Sequence, residues 1–174
     1  TNSDQTFILT NIFNQSIISL ERTLLQTELY KTRIKLGKFL SNYSFNYLNI
    51  QKAYIDLIGW TKLMQGDFIK GSQSILEGIK VAKFSIDETK DINVKKESLM
   101  NVCRGYRHLG SYKYILENNF NKAIEYNEIG LKELYKLNKD DYSNEKYEGM
   151  EIGLNYGIVA ANYFKFKNKL NNFK

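Results

Sequence analysis

The sequence predicts an all-α protein of about six helices in antiparallel pairs, and three observations support this. Apolar residues recur at helical spacing over most of the 174-residue chain. Proline, which costs about 3 kcal/mol inside a helix, is absent. No segment shows sustained two-residue alternation bounded by turn signals, so a sheet is not expected. A chain of this length is most simply a single domain spanning residues 1–174.

Six helical segments follow one another, with tight turns alternating with longer polar connectors. The apolar spacing places them at Phe13–Leu36, Tyr47–Met64, Phe68–Phe84, Leu99–Leu116, Phe120–Leu137 and Tyr147–Leu170. The predicted connectors are residues 37–46, 85–93 and 138–144. Gly37 is expected to end the first helix. Helix N-caps are expected at Asp91 or Asn93 and at Ser143, because short polar side chains accept hydrogen bonds from the first backbone amides of a helix.

A pattern centred on phenylalanine recurs at a nearly constant interval. Spacings of 55, 52 and 53 residues separate its four members, Phe13, Phe68, Phe120 and Phe173. Small residues stand three and ten positions after the first three: Ser16, Gly71 and Ala123, then Thr23, Gly78 and Gly130. A turn-forming pair directly precedes the last three: Gly66-Asp67, Asn118-Asn119 and Asn171-Asn172. A fixed period indicates a repeating supersecondary unit.

Two stretches of the chain resemble the tetratricopeptide repeat (TPR) family. Residues 52–82 carry the family's features in order: Ile58-Gly59, the turn Gly66-Asp67-Phe68, and small residues at Gly71 and Gly78. Residues 107–134 carry the matching set: Leu109-Gly110, Asn119-Phe120, Ala123 and Gly130. The period of about 53 residues exceeds the family's usual period of about 34. The resemblance implies helix pairs stacked as an α-solenoid with a right-handed superhelical twist.

The resemblance also implies which residues line the concave groove that such repeats use for binding. The implied partner-binding residues are Asp56, Trp60, Leu63 and Met64 in the earlier unit, and Arg104, Arg107, His108 and Tyr112 in the later one. For Trp60, a place in the core is the alternative to a groove anchor. The mixture of aromatic and basic groups predicts a protein or peptide partner that is acidic, or mixed acidic and apolar.

The sequence offers no arrangement of residues that predicts catalysis, a cofactor or a metal site. Cys103 is the only cysteine, so an intrachain disulfide and a cysteine zinc site are excluded. We expect it to be a small buried residue near a helix crossing. His108, the only histidine, stands five positions away, a spacing that does not suit a ligand pair. No nucleophile or acid–base pair is evident, so an enzyme is not expected.

The basic residues are scattered, and the net charge of +6 is a mild excess. This charge suits an acidic protein partner, and the lack of a basic run makes nucleic acid an unfavoured ligand. No stretch reaches the roughly 18 apolar residues that a membrane-spanning helix needs. The missing initiator methionine and the cut appearance of both terminal repeats suggest a fragment or processed part of a longer chain. We expect a soluble protein of unknown compartment, with the cytoplasm favoured over a processed, exported form.

The function that these features predict is a non-catalytic helical repeat module, a scaffold or adaptor. It would bind a protein or peptide in a helix-lined groove. The alternative is a regulatory or sensory helical domain of a larger signalling protein, whose ligand would change the stacking of the helix pairs. The context of the full-length chain would discriminate between the two.

Overall fold

The computed structural model of the 174-residue chain describes residue 16 and residues 30–44, 46–137 and 144–171. Within those residues every regular element is a helix. The six helices are α1 (Tyr30–Tyr43), α2 (Tyr47–Lys52, Ala53–Trp60 and Thr61–Met64 in unbroken succession), α3 (Phe68–Glu88), α4 (Ile92–Ile115), α5 (Phe120–Leu134) and α6 (Asn144–Asn171). The predicted all-α class is confirmed.

Helix α4 holds the described part of the chain together. It packs against its chain neighbours α3 and α5, and it also contacts α2 and α6. One core cluster joins α2, α3 and α4, with the members Leu63, Ile75, Ile79, Ala82, Val102, Leu109 and Tyr112. A second joins α4, α5 and α6, with the members Met100, Cys103, Leu134, Tyr147, Met150 and Leu154. Each large apolar side chain buried in these clusters contributes roughly 1.5–3 kcal/mol.

The two predicted tight turns, between α2 and α3 and between α4 and α5, are confirmed. Gly66 has a φ of +83° and Asn118 a φ of 53°, a left-handed conformation that glycine and asparagine adopt more readily than other residues. The next residue in each turn, Asp67 or Asn119, accepts a hydrogen bond from a backbone amide in the first turn of the following helix. Both turns therefore end in an N-cap that starts the next helix.

The small residues of the repeat lie at close crossings between paired helices. A Cβ atom added to Gly71 would lie 2.7 Å from Leu63 Cδ2, and one added to Gly78 would lie 2.5 Å from Ile55 Cγ1. Both of these contacts are with α2, the helix paired with α3. In the next pair, Ala123 is fully buried. The prediction that these small positions are buried rather than exposed to solvent is confirmed in both pairs.

The predicted helix end at Gly37 is wrong, because α1 continues to Tyr43. Gly37 is buried, and a Cβ atom there would lie 2.6 Å from Ile58 Cγ1 and 3.3 Å from the carbonyl oxygen of Ala53. This glycine allows α1 to approach α2 closely instead of stopping the helix. The first predicted connector shrinks to the few residues between these two helices.

The second predicted connector, residues 85–93, is also too long. Helix α3 runs on to Glu88, and α4 begins at Ile92 rather than at the predicted Leu99. The added turns carry serines at buried positions, and two of those serines share a hydrogen bond. Apolar spacing does not detect helix turns whose buried face is polar, and this accounts for the error.

Asp91 is the N-cap of α4, which is one of the two predicted alternatives. Its Oδ1 atom accepts hydrogen bonds from the amides of Asn93 (2.8 Å) and Val94 (3.3 Å).

Helix α5 ends at Leu134, three residues before the predicted Leu137. Beyond Leu134 the chain tightens, because the amides of Lys136 and Leu137 donate to the carbonyl oxygens three residues earlier, as is common after helix C-termini.

Several predicted features lie outside the described residues. They are the start of the first helix at Phe13, the small position Thr23, residues 138–143 with the N-cap Ser143, and the fourth repeat member Phe173. Ser16, the first small residue of the repeat, is helical and exposed.

Candidate partner-binding site

The middle of α2, Ala53–Trp60, is a π-helix of eight residues. Well under 1% of residues in globular proteins adopt this conformation, and it is frequent at functional sites. Two of the predicted site residues, Asp56 and Trp60, lie in it. Both contact side chains of α4, so the π-helix is the element that brings the two predicted halves of the site together.

Asp56 is a buried carboxylate with two basic partners on α4. Arg104 Nη1 lies 3.1 Å from its Oδ2 atom, and His108 Nε2 lies 3.0 Å from its Oδ1 atom. Burial alone would raise the pKa of Asp56, but Arg104, the hydrogen bond and charge of His108, and Lys52 together hold that pKa well below its usual range. The carboxylate is therefore ionised at neutral pH and fixes the positions of both partners.

Arg33, which sequence reasoning did not identify, supports this arrangement from α1. Its side chain is only 1% exposed. Its Nη2 atom donates to the backbone oxygen of Asp56 (3.1 Å), and its Nε atom donates to Thr61 Oγ1 (2.8 Å). A buried guanidinium is tolerated when its donors are paired, and here the paired donors lock the π-helical backbone to α1.

Trp60 and His108 form the aromatic part of the site. Their rings are stacked, with centroids 4.5 Å apart and planes 18° apart. Trp60 is partly buried against the α2–α3–α4 core, so it is neither fully enclosed nor fully exposed. Because His108 also bonds Asp56, the carboxylate holds the imidazole that supports the indole ring.

Arg107 lies on α4 between Arg104 and His108 in sequence and reaches toward α6. A Cβ atom on Gly153 would lie 3.0 Å from the Cζ and Nη1 atoms of Arg107, so the guanidinium rests over that glycine. Desolvation and the nearby Arg104 lower the pKa of Arg107, and Asp56 partly opposes them. Among the described residues no carboxylate forms an ion pair with Arg107, and this part of the site has surplus positive charge.

The remaining predicted site residues divide between core and surface. Leu63 is 1% exposed and Tyr112 is 3% exposed, so both side chains lie in the core of the described helices and not on a surface. Leu63 packs beneath Gly71, and Tyr112 stacks on Phe68 with ring centroids 5.4 Å apart. Leu63 therefore completes the interface within the α2–α3 pair, and Tyr112 packs between α4 and α3. Met64, by contrast, is 52% exposed, one turn after the indole of the stacked pair.

The described residues hold no further chemistry near this cluster. Cys103 is buried in the second core cluster, and burial, followed by the charge of Glu133, raises its pKa to about 12. The thiol is thus protonated and unreactive at neutral pH. No three His, Cys, Asp or Glu residues in the described part converge as metal ligands. A cavity of about 390 Å³ lies at the turn between α4 and α5 and shares no residue with the cluster.

None of the described helices combines the length and apolar character needed to cross a bilayer. No protein-family model, curated protein or solved structure gives a significant match to this chain. Fold and site therefore define the protein as an all-α protein with a buried-carboxylate cluster between two of its helices.

Proposed function

We propose that this protein is a non-catalytic helical repeat module, built as a TPR-like α-solenoid, that binds an acidic protein or peptide segment and serves as a scaffold or adaptor. The observation that carries the proposal is the stacked pair of Trp60 and His108, next to which in sequence Arg107 forms no ion pair with a carboxylate of the described residues. His108 and Arg107 both belong to α4, which contacts more of the described helices than any other.

The aromatic surface supplies the apolar part of the contact. Trp60 is partly exposed over His108, and Met64 is half-exposed one turn further along α2. Tryptophan, methionine and arginine are the residue types most enriched in interfaces. A leucine-sized or aromatic side chain of the partner would cover the indole and the methionine together.

The basic part of the site is arranged before any partner arrives. Asp56 fixes Arg104 and His108, and Arg33 fixes the backbone that carries Asp56. A site whose side chains are already held loses less entropy on binding. Arg107 would pair with a carboxylate of the partner, since guanidinium groups bind carboxylates in a two-pronged geometry.

Fluorescence anisotropy with labelled peptides tests the proposal. The probe is a glutamate-rich peptide with one leucine, and the comparison is the same peptide with lysine in place of glutamate. We expect the acidic peptide to bind and the basic one not to bind. Trp60→Ala should weaken binding by about 2 kcal/mol, which is roughly thirty-fold. Arg107→Ala should slow association and flatten its salt dependence.

Lys132→Ala is the matched control, because Lys132 is an exposed cation on α5 away from the cluster. It should leave the affinity for the acidic peptide unchanged. Equal affinity for the acidic and basic peptides would contradict an acidic partner. Full binding by both Trp60→Ala and Arg107→Ala, with folding verified by circular dichroism, would place the binding surface elsewhere on the protein.

A further inference from the structure

Helix α6 is apolar on two opposite faces; one packs against other described helices, and the other is largely exposed. The inner face contacts α4 and α5 through Tyr147, Met150, Leu154 and Ala161, all of them buried. The outer face carries five large apolar residues that are 59–68% exposed: Ile152, Tyr156, Val159, Tyr163 and Phe166. We call these five residues the outer stripe.

The spacing of the outer-stripe residues is typical of a helix that packs lengthwise against another helix. Its members stand four, three, four and three residues apart, which is the alternation by which one helix packs along another. Such a continuous exposed apolar row on a surface helix indicates an interaction surface. We infer that the outer stripe is a dimerisation surface, on which α6 of a second copy of this chain packs in the antiparallel direction.

The charges of α6 favour an antiparallel second copy. Glu145, Glu148 and Glu151 precede the stripe's centre, whereas Lys165, Lys167 and Lys169 follow it. A second copy packed antiparallel sets the acidic half of each helix beside the basic half of the other. Parallel packing would set the lysines beside one another, and like charges in register are destabilising.

The positions of the stripe residues agree with a two-fold axis. Ile152 and Phe166 each stand seven residues from Val159, and Glu151 and Lys167 each stand eight residues from it. An axis through Val159 pairs Ile152 with the partner's Phe166, and Glu151 with the partner's Lys167. Such self-complementarity is what a symmetric dimer interface requires.

A helix of the repeat's own type fits the outer stripe less well. In the first two units the helix that precedes each turn has a glycine nine or ten residues before the phenylalanine, namely Gly59 and Gly110. Those glycines let the next helix cross closely. In the register of Phe173, both positions are aromatic, Tyr163 and Phe164. These aromatic side chains block a close helix crossing of the repeat's type. A second copy of the chain therefore fits the outer stripe better.

The size of the interface is sufficient for a specific dimer. Three aromatic and two aliphatic side chains from each copy would bury on the order of 1,000 Å² in total, which is near the lower bound for specific interfaces. We therefore expect a reversible dimer whose population rises with protein concentration.

Sedimentation velocity of the 174-residue chain over a broad range of concentration tests the inference. We expect a monomer–dimer equilibrium, and Val159→Glu should raise its dissociation constant about ten-fold or more. Val159 is 66% exposed, so this change should leave the melting temperature unaltered at dilutions where the natural chain is monomeric. Ile69→Glu is the control, since Ile69 is 72% exposed on α3. A chain that stays monomeric, or equal effects of the two variants, would overturn the inference.

Disulfide trapping tests the direction of pairing. Ile152→Cys mixed with Phe166→Cys should form a covalent heterodimer, whereas Ile152→Cys alone should not crosslink. The native Cys103 is buried and does not interfere. Crosslinking of Ile152→Cys with itself would overturn the antiparallel arrangement.

Reversal of charge gives a separate test of the same arrangement. The double change Lys167→Glu and Lys169→Glu should weaken the dimer, because acidic residues then face acidic residues. Adding Glu148→Lys and Glu151→Lys to the same chain should restore association. Failure of this restoration, in variants with normal helical content, would rule out the antiparallel pairing.

Discussion

Asp56 is the residue on which the candidate site depends, because it positions two side chains of a different helix. Its carboxylate lies 3.0–3.1 Å from Arg104 and His108. A buried charge is costly unless it is paired, and these partners outweigh the cost of its burial. Sequence reasoning selected these three residues through the TPR resemblance. It did not select Arg33, since the partners of Arg33 are 23 and 28 residues away and no local pattern links them.

The low pKa of Asp56 predicts a specific dependence of stability on pH. Because this pKa is lower in the folded protein than in the unfolded chain, the stabilisation is fully present above about pH 5 and is lost as the pH falls. Asp56→Asn should lower the free energy of unfolding at pH 7 by on the order of 2 kcal/mol. The gap between the variant and the natural chain should narrow toward pH 3.

Urea unfolding followed by circular dichroism at pH 7 and pH 3 measures this gap. Asp87→Asn is the control, because Asp87 is exposed in the last turn of α3. It should change stability little at either pH. A gap between Asp56→Asn and the natural chain that stays constant with pH would contradict the role assigned to this carboxylate.

The small residues at helix crossings give a second prediction for single residues. Gly78→Leu and Ala123→Leu should each lower the free energy of unfolding by about 1–3 kcal/mol, because both sites are filled by the partner helix. Gly149→Ala is the matched control, since a Cβ atom there has no neighbour within 4 Å. It should stabilise α6 by about 0.5–1 kcal/mol. Thermal melts in which the two leucine variants match the natural chain would show that the crossings can expand.

Individual helices show which sequence signals determine structure here. Turn chemistry was informative: the pairs before Phe68 and Phe120 form the predicted turns, and the second residue of each pair also caps the next helix. Glycine was ambiguous, because Gly37 serves a close helix contact while Gly66 forms a turn. The π-helix could not be predicted, since its apolar spacing is that of an ordinary helix. It is held by Arg33 of α1 and Arg104 of α4, which stand 23 and 48 residues from Asp56.

The N-cap of α4 provides a prediction for one element. Asp91→Ala should lower the free energy of unfolding by about 1 kcal/mol, because two amides of the first turn lose their acceptor. Asp91→Ser, which keeps a capping oxygen, should recover most of the loss. Guanidinium denaturation of the two variants measures the effect. Equal destabilisation by alanine and serine would mean that the carboxylate acts through its charge and not as a cap.

Across the described part of the molecule, the fold was more predictable than the site because the signals for helices and turns are local. Each pair places small residues, a turn and an aromatic helix start at fixed positions, and these are local features that a sequence displays. The candidate site instead joins α1, α2 and α4 through polar contacts, and two predicted members, Leu63 and Tyr112, are buried in the core. Leu63 is buried where α2 crosses α3, and Tyr112 is buried where α4 packs on α3. The resemblance did not specify either of these packing geometries.

The position of α4 predicts how stability is distributed through the molecule. It contacts α2, α3, α5 and α6, whereas α1 contacts chiefly α2, and residues 166–169 near the end of α6 are exposed. Regions with more buried contacts open less often, and arrays of helix pairs need not unfold as one unit. Native-state hydrogen exchange should therefore show the slowest amides in the middle of α4, around Val102 and Leu109, and faster exchange in α1.

The exchange measurement is made on the Val159→Glu variant, so that association through α6 does not add protection. Gly78→Leu, which weakens the α2–α3 crossing, should speed exchange in α1 and α2 more than in α5. Uniform protection across all six described helices, changed equally everywhere by Gly78→Leu, would show instead that the molecule unfolds as a single cooperative unit.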